Sequence, residues 1–213
     1  AMLLPLKDNN PLKRIPYQYV TVAFIAFCVL VFLWQLSLGN EGGRKAVLAF
    51  GAIPSVLFGS RTLPPELVMI PAPLTLITSM FMHGGWMHLI GNMLFLWVLG
   101  DNIEDAMGHG RFIVFYLLCG VAAALTHAGL DPASTTPMIG ASGAISGVIG
   151  AYLILHPKVQ ILTLAFRFFI HIPAYIMLGI WIALQVFNVS MASGAGGGGV
   201  AWWAHIGGLI AGV

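Results

Sequence analysis

Charge is what this 213-residue chain has least of. Asp, Glu, Lys and Arg make up 8% of it, against about 25% in ordinary soluble domains. So few ionic groups could not cover the surface of a water-soluble fold of this length. The net charge is only +2 and no Lys/Arg-rich run exists, which removes the electrostatic footprint of a nucleic-acid binder. Cysteine is nearly absent: Cys28 and Cys119 both lie inside apolar stretches, read as packing residues, and build no disulfide framework. The His-Glu-x-x-His motif is missing, and neither Cys nor carboxylate accompanies His83, His88 or His205. A zinc site is therefore not expected, and no cofactor is implied.

What the chain has instead is long uncharged runs. They fall near residues 19–38, 74–99, 112–130, 141–156, 168–188 and 200–213, and every one of the nine basic and seven acidic residues lies outside them. A helix needs about 20 such residues to cross a bilayer core. The expected fold is all-α: a single polytopic membrane domain over residues 1–213, a bundle of six transmembrane helices. The last run reaches residue 213, so the chain is expected to stop inside a helix. The N-terminal run is too long for a signal-peptide core and lacks a small-residue cleavage site, so it is read as a retained helix. Lys7, Lys13, Arg14, Arg111, Lys158 and Arg167 fall on one side, and Arg44, Lys45 and Arg61 on the other. The positive-inside rule then makes the N-terminus cytoplasmic. Within the long first loop, Ala46 to Gly59 suits a segment lying in the interface. The glycine run from Ser193 to Gly199 reads as a flexible linker.

Three motifs lie near the outer ends of three parallel spans: Gly140-Ala141-Ser142-Gly143 on the fourth, Ala204-His205-Ile206-Gly207-Gly208 through Gly212 on the sixth, and His83 through His88 to Asn92 on the second. Serine and glycine in membrane helices usually serve packing, whereas an intramembrane histidine is costly and points to function. At 100° per residue Ser142 and Ser146 share a face, with Gly143 and Gly147 beside them, and His205 shares one with Gly208 and Gly212. Small faces let two helices touch, which would bring Ser142 and His205 within reach of each other. His88 and Asn92 are four apart and share a face, while His83 is about 140° away from His88 if the helix includes it.

In combination these residues resemble the rhomboid family of intramembrane serine proteases, over nearly the whole chain. The resemblance implies Ser142 as nucleophile and His205 as general base. It implies an oxyanion hole of His88, Asn92 and the Ser142 backbone N–H, with His83 structural; Gly140, Gly143, Gly208 and Gly212 shape the surroundings. Glu104, followed by Gly108, also fits the pattern. The N-terminus of the fourth helix would favour the negative charge. No Asp or Glu lies in any span, and Asp131 reads as a solvated loop charge, so a Ser–His dyad is expected rather than a triad.

The implied substrates are single-span membrane proteins, reached through the lipid bilayer, with no nucleic-acid partner. They would pass between spans two and five, where Phe95 and Trp181 are the candidate gate. The shortness of the chain suggests a bacterial or archaeal plasma membrane. Two positions depart from patterns in some members: Ser146 stands where they carry Tyr, and Leu74-Thr75 where they carry Trp-Arg. The competing readings are a catalytically inactive rhomboid-like protein that binds membrane clients, and a transporter or channel, which would call for midplane polar groups or broken helices.

Overall fold

The computed structural model describes residues 3–195 and 202–213. It begins with strand β1 (Leu3–Asp8) and continues into helix α1 (Tyr19–Ser37). The first loop is structured: α2 (Gly39–Phe50), α3 (Pro54–Leu57), a 3-10 turn at Pro65–Leu67, and the helical turns Ala72–Leu74, α4 (Thr75–Thr78) and Ser79–Phe81. Then come α5 (Trp86–Met107), α6 (His109–Leu130), α7 (Ser142–Leu155), strands β2 (Gln160–Ala165) and β3 (Phe168–Pro173), α8 (Ala174–Ala195) and α9 (Trp202–Gly212). Among the described residues, α1 and α6 are long and apolar enough to cross a membrane by themselves.

The mostly helical character agrees with expectation, but the chain is not all-α. The three strands form one antiparallel sheet in the order β1-β2-β3. Residues 168–173, expected to open the fifth span, form its edge strand instead, and helix α8 starts only at Ala174. Apolar runs rich in β-branched and aromatic residues satisfy strand and helix alike, and length alone did not separate them. The second span is also redrawn. Met82 and Gly85 are extended, so helix α5 begins at Trp86 and runs on to Met107 through Asp101, Glu104 and Asp105. In the first loop, Ala46–Phe50 belongs to α2, and Ala52 pairs with Met138 on the loop before α7. Of the expected glycine linker, Ser193–Ala195 close α8, and 196–199 lie outside the described residues.

Helix α7 is the centre of the molecule. Ala144 to Tyr152 are buried without interruption, as expected of a helix apolar on every side and walled in by others. Helices α5, α6 and α9 pack around it. On α9, a Cβ placed on Gly208 or Gly212 would run into the backbone carbonyls of Gly143 or Gly147. Only glycine lets α9 lie directly on α7.

Two buried carboxylates tie the far end of the bundle. Glu104 accepts from the backbone N–H of Val20 (3.0 Å) and Thr21 (2.8 Å) and from the Thr21 hydroxyl (2.7 Å). It thereby satisfies free donors at the start of α1, where a negative charge is also favoured by the helix dipole. His109 at the start of α6 meets the oxygen that accepts from Val20. Asp105 accepts from the backbone N–H groups of Lys13, Arg14 and Ile15. Asp8 of β1 accepts from the Tyr152 hydroxyl at 2.7 Å, and burial holds the Asp8 carboxyl above its ordinary range.

Candidate active site

Ser142 is the first residue of α7 and follows Ala141, a backbone turn rather than a side-chain cap. His205 lies on α9 one turn inside the helix and is 9% exposed. Its Nε2 lies 2.9 Å from the Ser142 Oγ. The glycine contacts between α7 and α9 set this distance, because Ser142 and Gly143 are neighbours and Gly143 meets Gly208, three residues after His205. The small-faced spans expected from sequence are thus found packed together, with the hydroxyl and the imidazole at their seam. Ser146, one turn below, donates to the Ser142 carbonyl at 2.6 Å. A cavity of about 40 Å³, bounded by Ser79, Gly140, Ser142 and Gly143, lies beside the serine.

The loop before Ser142 is held by several hydrogen bonds. The Gly140 N–H donates to the Ser79 carbonyl at 2.8 Å. Gly140 itself has φ +120°, a region that favours glycine, and a Cβ there would stand 2.8 Å from His88 Nε2 and 3.8 Å from Asn92 Nδ2. Those two side chains of α5 therefore converge on the backbone just ahead of the serine. His88 Nδ1 accepts from the Gly84 N–H at 3.1 Å. An imidazole that accepts at Nδ1 carries its neutral-form proton on Nε2, so His88 presents a donor toward Gly140. Asn92 Nδ2 is a buried donor without a partner among the described residues.

His83 departs from the helical arithmetic. It precedes α5, so its separation from His88 is not an angle around one helix. The two rings meet edge to face, with centroids 5.0 Å apart. His83 Nε2 accepts from the Ala141 N–H at 3.4 Å. Its own backbone is clamped by Gln35 of α1, which donates to the His83 carbonyl at 3.0 Å and accepts from its N–H at 3.2 Å. Sequence reasoning missed Gln35. The signal was present: it is the one amide side chain in a run otherwise polar only at Tyr19, Thr21 and Ser37, and an amide in a membrane helix calls for a partner.

Asp131 is exposed at the end of α6. Phe95 of α5 is buried, and its ring centroid lies 6.3 Å from that of Trp181 on α8. Trp181 also lies 5.9 Å from the His205 ring. The two aromatics thus meet each other across the α5–α8 gap, next to the imidazole.

Comparison with known proteins bears on what such a site does. A family model described as the Rhomboid domain matches residues 72–213. The chain is 30% identical over 195 residues to "Rhomboid protease GluP" of Bacillus subtilis, covering 90% of this chain and 33% of that protein. It is 31% identical over 153 residues to "Rhomboid protein 1, mitochondrial" of Saccharomyces cerevisiae, covering 68% of this chain and 41% of the relative. To "Putative rhomboid protease YdcA" of Bacillus subtilis it is 30% identical over 102 residues, 43% of this chain and 51% of that protein. The chain therefore spans between a third and about half the length of these relatives.

Proposed function

Since the chain belongs to the rhomboid family, and is accordingly an integral membrane protein, we propose that it is a serine endopeptidase cleaving transmembrane segments with Ser142 and His205 as a catalytic dyad. The observation that carries this is the 2.9 Å approach of His205 Nε2 to Ser142 Oγ at the seam of two glycine-faced helices. A hydroxyl needs a base at that distance to become a nucleophile. In the proposed reaction Ser142 Oγ attacks the scissile carbonyl and its proton passes to His205 Nε2. His205 then protonates the departing amine, and water releases the acyl-enzyme by the same exchange of protons.

The tetrahedral oxyanion would form beside Gly140, facing His88 Nε2–H, Asn92 Nδ2–H and the Ser142 backbone N–H. Two features support that assignment: the tautomer imposed on His88 by Gly84, and the unpartnered donor of Asn92. Both are groups whose strongest partner would exist only in the transition state. His83 has a positioning role, holding Ala141 while Gln35 holds His83.

The wider arrangement proposed is a single domain with six spans, formed by α1, α5, α6, α7, α8 and α9. The N-terminus faces the cytoplasm on the strength of the six-against-three distribution of basic residues, and a bacterial or archaeal plasma membrane remains the proposed location. Helix α7 has 14 residues, about 21 Å at 1.5 Å per residue, against a hydrocarbon core of about 30 Å. A helix this short suits a nucleophile set below the outer surface. Substrates are single-span membrane proteins, with Phe95 and Trp181 closing the lateral path between α5 and α8.

The test is cleavage of a single-span substrate by the purified protein in liposomes. Ser142→Ala and His205→Ala should each abolish turnover while leaving the inserted fold intact. A well-folded wild-type protein that binds such substrates without cutting them would favour the inactive client-binding reading instead.

A further inference from the structure

The β2–β3 hairpin lies at the end of α7 away from Ser142, and the proteolytic site makes no use of it. Its two-residue turn is Phe166-Arg167, closed by the pairing of Ala165 with Phe168. Phe166 has φ +57°, a turn conformation that favours glycine, yet the position carries a large apolar ring. Phe166 is 76% exposed, and Phe168 and Phe169 are each 67% exposed. Ile170 and His171 are exposed too, so four consecutive residues of β3 have neither face covered. Strand β2 alternates between buried and exposed at its start, as a half-buried strand does; β3 does not.

The geometry restricts what can cover it. Neighbouring residues of a strand point to opposite faces, so Phe168 and Phe169 cannot both rest on one docked protein surface. A second copy pairing along the free edge of β3 would leave both faces bare. An apolar fluid covers both at once. The hairpin is also continuous with an apolar helix, the fifth of the proposed spans: β3 runs directly into α8, whose first turn exposes Tyr175 and Ile176. From His156 to Pro173 the chain holds Lys158 and Arg167, both exposed, and no carboxylate. Aromatic rings gather at the membrane–water interface, and cations there meet lipid phosphates.

We propose that the β2–β3 hairpin is a lipid-binding element, with Phe166, Phe168 and Phe169 at the boundary of headgroups and acyl chains and Arg167 and Lys158 against the phosphates. The proposal rests on the six-span arrangement proposed above, through the continuity of β3 with α8, but not on the proteolytic reading.

The experiment uses the full chain with Cys28→Ala and Cys119→Ala, carrying Phe168→Cys or Phe169→Cys with a nitroxide label, in phosphatidylcholine–phosphatidylglycerol liposomes. At both positions, collision with oxygen should exceed collision with a water-soluble nickel chelate, giving a depth near the headgroup boundary. Adding Arg167→Glu should move the label toward water. Dominant nickel-chelate collision at either position would put that face in water and overturn the proposal. So would labels that neither reagent reaches, or spin–spin broadening between copies, because a second protein would then cover the hairpin. A depth unchanged by Arg167→Glu would remove the phosphate role of that residue.

Discussion

At the scale of single residues, what distinguishes the groups around Ser142 is whether their hydrogen bonds are already made. The His83 backbone and Nε2 are engaged by Gln35 and Ala141. Asn92 Nδ2 has no partner among the described residues, and His88 offers its Nε2 proton toward Gly140. His88→Ala and Asn92→Ala should therefore lower kcat, by roughly 10²–10³-fold for a strong donor, with KM little changed. His83→Ala and Gln35→Ala should instead lower the melting temperature, because they remove structural bonds already present in the folded protein. Unchanged kcat in both His88→Ala and Asn92→Ala, measured in parallel, would mean that other groups build the oxyanion hole. Asp131→Asn should retain most activity, since its carboxylate is exposed at a helix end. The shared face of His88 and Asn92, four residues apart, was legible in the sequence, whereas Gln35 was not singled out. The reason for setting His83 apart was not legible either, because the helix was read as including it.

At the scale of elements, α7 and α9 are the pair on which the proposed dyad depends. Their glycines were legible as small faces three and four residues apart, and their contact follows from that spacing. The boundary errors share one physical cause. Hydropathy marks where charge is missing, but not whether the backbone there is helix or strand. Met82–Gly85 interrupts the second run, and Phe168–Pro173 pairs with β2, although neither segment contains a charge. The carboxylates of Glu104 and Asp105 extend α5 beyond its apolar part for a reason visible only in three dimensions: they cap and hold chain segments about 80–90 positions away in sequence. For the α7–α9 pair, Gly212→Leu would force a side chain into the Gly147 carbonyl, and the helices would have to separate. Loss of activity is expected together with a lower melting temperature. Gly179→Leu on α8, where a Cβ meets nothing within 4 Å, should leave the melting temperature close to wild type. Equal stability of the two variants would contradict the packing argument.

At the scale of the whole molecule, the proposed activity would require a membrane-spanning substrate to leave lipid and reach a site that also admits water. Phe95 and Trp181 meet across α5 and α8 beside His205, so a path between these helices would lead straight to the dyad. With Cys28 and Cys119 replaced, Phe95→Cys and Trp181→Cys joined by a short cross-linker should block cleavage of a transmembrane substrate, and reduction should restore it. Full-rate cleavage by the cross-linked protein would place the path elsewhere.

The central claim, that Ser142 is a nucleophile activated by His205, is tested most directly by covalent labelling. A fluorophosphonate needs an activated hydroxyl but no membrane-spanning substrate, so the gate and the substrate's sequence do not enter. After reaction in liposomes, peptide mass spectrometry should place the adduct on Ser142 in the wild-type chain. His205→Ala should lose the adduct while keeping the wild-type melting temperature to within a few degrees. An adduct on another serine, or labelling of Ser142 at an unchanged rate in His205→Ala, would contradict the account.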